Sequence, residues 1–165
     1  MSWNTYYQRK HAIDAVLDSA RRDPDRALDT IPSPFADAGE LLAALQHKWL
    51  QQLGGRLEVA LTDAERAPHG DRVEAVTSAW RRAAAANPAL RAVLDHHAEH
   101  PALRAGATAE NRLLATSAGL AEEFEPEHDA TRVGQAFQQL LRASPPPAER
   151  RGRTGVLRKL LAPSR

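Results

Sequence analysis

Apolar residues recur three and four positions apart through most of this chain, and no stretch alternates apolar and polar positions over a strand's length. The first run, Ser2 to about Arg22, sets Trp3, Tyr6, Tyr7, Ile13, Val16, Leu17 and Ala20 at helical intervals. Ser2 is placed to accept a backbone N–H at the helix start, and Asp23-Pro24 ends the run. Asp29 to Phe35 is expected to be extended, because Pro32 and Pro34 each push the preceding residue out of the α region.

Asp37 and Glu40 form a D-x-x-E start signal for a second helix reaching about Arg66, with Leu41, Leu42, Leu45, Trp49, Leu53 and Leu57 on its stripe. Gly54-Gly55 interrupts that stripe. Two helical glycines cost about 2 kcal/mol relative to alanine, so they mark a kink, a boundary or a close crossing, with Ala83–Ala86 as a thin surface to cross.

Asp71 and Glu74 repeat the start signal for a third helix carrying Val73, Val76 and Trp80, and Asn87-Pro88 closes it and caps a fourth with Leu90, Val93, Leu94 and His97. His100–Ala105 echoes Asn87–Ala92, two similar helix starts rather than a repeat. After Gly106, Thr108 opens a helix whose stripe continues through Leu120 to Phe124 and stops at Glu125-Pro126. Asp129 opens the last main helix, with Val133, Phe137, Leu140 and Leu141. The pattern predicts an all-α, single-domain bundle of five to six helices over 1–143. A flexible basic tail follows over 144–165, a stiff Pro145–Pro147 linker leading to an amphipathic segment with Val156, Leu157, Leu160 and Leu161.

Composition adjusts this picture in three ways. The 42% hydrophobic content of 165 residues is enough to close one core. The absence of cysteine removes disulfides, thiolate catalysis and zinc-finger or iron–sulfur ligation. The polar, aromatic start lacks the pattern of a secretory signal and no run approaches bilayer length, so a cytoplasmic location is expected. Arginine supplies most of the positive charge beside abundant alanine and proline, as in GC-rich bacterial coding.

Net charge is only +1, but it is unevenly spread. From Arg142 onward seven basic residues face one acid, which leaves −5 on residues 1–141. An acidic body therefore carries a basic tail.

Candidate chemistry is sparse. His96-His97-Ala98-Glu99-His100 resembles, in its letters, the H-x-x-E-H of inverted zinc peptidases, where histidines one helical turn apart bind metal and the glutamate activates water. His96 and His100 are the candidate metal ligands, with a metal-dependent bundle enzyme as the corresponding reading. Against it, Pro101 ends the helix at once and no second peptidase element follows, and His47, the candidate from an earlier helix, sits away from its helix's apolar stripe. Glu122, Glu123, Glu125, Glu127 and Asp129 form an acidic cluster suited to a cation or a basic partner, this chain's own tail included.

No phosphate loop or nucleophile elbow is present, and no cofactor is expected. The leading expectation is a non-enzymatic interaction or regulatory module docking a protein partner through Arg150, Arg151, Arg153, Arg158 and Lys159. Nucleic acid and an anionic membrane are the other partners such a tail suits. A ligand-sensing bundle with an apolar pocket near Trp49 or Trp80 is the alternative. Trp3, Tyr6 and Tyr7 are expected in the core; exposed, they become the best candidate interface.

Overall fold

The computed structural model describes residues 3–122 and 124–143. Ser2, Glu123 and the 144–165 tail, with the partner-binding residues Arg150, Arg151, Arg153, Arg158 and Lys159, lie outside the described residues. Among those described, the chain forms six α-helices and one 3₁₀ turn and no strand: α1 (Trp3–Ala20), α2 (Ala38–Arg66), α3 (Arg72–Ala86), α4 (Pro88–His96), the 3₁₀ turn (Pro101–Leu103), α5 (Arg104–Ser117) and α6 (Glu127–Ala143). No helix among these residues is long and apolar enough to cross a membrane.

The spine is α2, 29 residues and about 43 Å long at 1.5 Å per residue. Both D-x-x-E signals work as caps. The Asp37 carboxylate accepts the Glu40 N–H at 2.8 Å, while the Glu40 carboxylate reaches back to the Ala36 N–H at 2.9 Å. Asp71 accepts the Val73 and Glu74 N–H groups at 2.8 and 3.2 Å. One face of α2 buries Leu41, Leu42, Leu45, Trp49, Leu53 and Leu57 against Val76, Ala79, Trp80 and Ala83 of α3 and Leu90, Val93 and Leu94 of α4. Asn87 links α3 to α4 by backbone; its side chain does not cap α4 but donates to the Ala83 carbonyl at 3.0 Å.

Glycines prove to matter in places other than those the sequence singles out. α2 runs unbroken through Gly54 and Gly55, and a Cβ at either would meet nothing within 4 Å, so neither is a boundary or a close crossing. The close approaches lie elsewhere. A Cβ on Gly106, inside α5, would stand 2.2 Å from Gln46 Cγ of α2, and one on Gly134 of α6 would stand 1.8 Å from the Asn111 carbonyl oxygen of α5. Gly54→Ala and Gly55→Ala are therefore expected each to stabilise the fold by about 0.5–1 kcal/mol, read as higher urea midpoints.

α5 also ends earlier than the apolar stripe implies. It stops at Ser117, and Gly119 takes φ +69°. The Leu120 N–H donates to the Ala115 carbonyl (2.9 Å) and the Gly119 N–H to that of Thr116 (3.1 Å). That pair of bonds satisfies the Ala115 and Thr116 carbonyls and requires a left-handed residue, which glycine provides, while the Ser117 carbonyl accepts from Arg72 Nε at 3.1 Å. Leu120 and Phe124 are consequently off the helix and exposed.

Within the core sits one charged network. Glu110, almost fully buried, accepts the Trp80 indole N–H at 3.2 Å and the Gln46 side-chain amide at 3.4 Å. The Arg91 guanidinium lies 3.6 Å from Glu110 and 4.9 Å above the Trp49 ring, and donates to Asp95 at 2.8 Å. Asp95 in turn holds Arg142 at 3.0 Å, tying α4 to the end of α6. Trp49 and Trp80 meet edge to face, with centroids 6.2 Å apart.

Candidate interaction surface

α1 carries two stripes rather than one. At ~100° per residue, Ala12, Val16 and Ala20 share one side and are buried, whereas Tyr6 falls about 80° from the middle of that side and Lys10, Trp3 and Tyr7 about 120°, 140° and 180°. Continuing the buried stripe towards the N-terminus leads to Arg9 and Thr5, not to the aromatics. Trp3, Tyr6 and Tyr7 are 77%, 55% and 48% exposed, against the expectation that they belong to the core. They pack mainly on each other: Trp3 and Tyr7 stack at 6.0 Å, and Tyr6 meets Tyr7 edge-on at 5.6 Å.

No residue of 3–11 is buried, and Arg9 helps to moor this half of α1. Its guanidinium contacts Glu40 at 2.6 Å and covers the buried Phe35 ring at 4.5 Å. Glu40 is held below the ordinary carboxylate range, first by the Ala36 N–H and then by Arg9. Between α1 and α2 a groove of about 520 Å³ remains open. Tyr6, Ile13 and Ala44 supply its apolar lining, Lys10 and Lys48 its cations, and His47 a further polar side chain. His47 faces away from the core, as its place on the helical wheel implies, and so reaches this groove.

The histidine cluster does not take the arrangement its letters imply. α4 ends at His96, and His100 is extended at φ −66°, ψ 132° because it precedes Pro101. The helical turn that would set His96 beside His100 is therefore not formed. The two rings also have other partners: His96 Nδ1 lies 3.0 Å from an Asp25 oxygen, and His100 Nδ1 accepts the Ala102 N–H at 3.2 Å. Among the described residues no group of three or more His, Asp or Glu side chains is arranged to hold a metal ion. His97, between them, is pushed below the usual histidine range by burial, and then by His96 and His100.

Trp49 is fully buried and Trp80 nearly so, and neither lines the clefts found between α1 and α2, beside Ala27 or beside Ser117. Glu122, Glu125, Glu127 and Asp129 of the acidic cluster occupy the α5–α6 corner. Phe124 stands 88% exposed there, with Leu120, Glu122 and Glu127 exposed around it. Sequence reasoning missed Glu110 and Arg91 altogether, since each looks like a surface charge in its own helix. It saw the α1 aromatics but merged the two stripes; the ~140° between their centres on a helical wheel was the signal available.

The surface best set out for binding is thus the cationic, aromatic half of α1 and the groove beneath it. No family model, curated protein or solved structure matches this chain.

Proposed function

We propose that this chain is a non-enzymatic interaction module of the bacterial cytoplasm that docks a protein partner on the α1 aromatic face and the α1/α2 groove. The exposure of Trp3, Tyr6 and Tyr7 carries this reading. Three large aromatic side chains left in water, adjoining a groove with an apolar lining, form the kind of patch that marks interaction surfaces. Tyrosine and tryptophan suit the role because each offers broad apolar area with a polar edge and few rotatable bonds. The basic tail, with Arg150, Arg151, Arg153, Arg158 and Lys159, is a second, electrostatic contact for the same partner.

The test is a photo-crosslinking amino acid placed at Tyr6 and, as a control, at the exposed Val59 of α2. A discrete protein adduct is expected from position 6, lost with Trp3→Ser and not seen from position 59. Changing the five tail cations to glutamine lowers its yield. The same adducts from both positions would end the reading.

A further inference from the structure

We infer that the α1/α2 groove receives the acidic α5–α6 corner of a second copy of this chain, so that copies associate head to tail. The inference rests on the docking reading of α1 and names its occupant.

Among the described residues, two of the surfaces that present large apolar side chains to water carry aromatic rings, at α1 and at the α5–α6 corner, and these two are opposite in charge. At the groove, residues 1–13 contain Arg9, Lys10 and His11 and no acid, within a body whose net charge is −5. Lys10 and His47 form no ion pair among the described residues, and Lys48 holds Asp14 only at 3.6 Å. Lys10 is thus free to meet a carboxylate, and Lys48 can do so by exchanging Asp14 for it.

At the corner, the turn at Gly119 lifts the chain off α5. Phe124 is then left 88% exposed, with Glu122, Glu125, Glu127 and Asp129 close by in sequence. An aromatic ring flanked by carboxylates matches a groove with aromatic and apolar lining and a cationic rim. Phe124 enters beside Tyr6 and Ile13, and the flanking glutamates reach Lys10, His47 and Lys48.

Each copy has one groove and one corner, on different elements, so the contact is heterologous: every copy can give and receive. A long polyanion such as nucleic acid is disfavoured as the occupant, because the −5 body repels it while the groove offers few cations.

Sedimentation of the full chain tests this, from about 10 µM to about 1 mM protein, at about 50 mM and about 500 mM salt. The average mass is expected to rise with concentration at low salt and to fall back at high salt. Trp3→Ser/Tyr6→Ser spoils the groove and Glu122→Lys/Phe124→Ser spoils the corner; each is expected to weaken self-association at least about tenfold. Mixed one to one, they regain a dimer and nothing larger, because the pair retains one intact groove and one intact corner. Circular dichroism confirms that both variants are folded.

A chain that stays monomeric throughout overturns the inference. So does self-association surviving in either variant, or a mixture that stays monomeric, or tight binding of a dT15 oligonucleotide that Trp3→Ser/Tyr6→Ser abolishes. A monomeric chain that still gives a discrete Tyr6 adduct with another protein ends the self-pairing alone and leaves the docking reading standing.

Discussion

Replacing Glu110 by alanine is expected to cost the fold about 3–5 kcal/mol, a large part of what a domain of this size has. The loss comes less from the bonds removed than from what is left behind. Arg91 sits at the junction of α4 with the core, and Glu110, 3.6 Å away, is the most deeply buried of its counter-ions. Asp95, the other, is far more exposed. Without Glu110 a guanidinium remains in the core with one half-exposed partner, and the Trp80 N–H and the Gln46 amide lose their acceptor. An unpaired buried charge and unsatisfied donors are each costly in a low-dielectric interior. Glu110→Gln keeps an acceptor for Trp80 but not the charge, and is expected to cost less than Glu110→Ala. Urea unfolding checks both; a loss under about 1 kcal/mol for Glu110→Ala would show that the network does not bind the helices together.

Gly134→Ala is expected to cost about 2–4 kcal/mol, although alanine is the better helix former by about 1 kcal/mol. The new methyl would lie 1.8 Å from the Asn111 carbonyl oxygen and 2.4 Å from its carbon. Those are backbone atoms of α5, so no side chain can swing aside and the two helices must separate. Separation loosens the contacts of Ala130, Phe137 and Leu141 and shifts Arg142 away from Asp95. The change runs opposite to Gly54→Ala, and the same pair of unfolding curves shows both signs.

That contrast shows how much of the fold could be read in the sequence. Capping signals at Asp37 and Asp71 are local, and the structure realises them. The all-α architecture follows from apolar spacing, which is also local. Where two helices touch is not. Gly54-Gly55 reads as a crossing because glycine permits one, but permission is not contact, and Gly134 looked like any other small residue in α6. The α5 boundary failed for a related reason: Leu120, Ala121 and Phe124 keep a helical spacing, and a single left-handed glycine overrides it.

The surface was half legible. Trp3, Tyr6 and Tyr7 were evident as a cluster, but their side of the helix depended on which residues of α1 meet the body. Ala12, Val16 and Ala20 take that role because small side chains let α1 lie close against its neighbours. The H-x-x-E-H letters form no helical pair for the reason legible in the sequence, since Pro101 takes His100 out of the α region before a helical turn can form. Glu110 and Arg91 were invisible, since a buried ion pair between α4 and α5 leaves no mark in either helix alone.

The central claim is that the α1 aromatics are displayed outward and do not hold the fold together. Chemical unfolding of the Trp3→Ser/Tyr6→Ser variant tests it most directly. With these side chains 77% and 55% exposed, the variant is predicted to unfold within about 1 kcal/mol of the parent chain. A loss of about 3 kcal/mol or more, as for aromatics removed from a core, would contradict it.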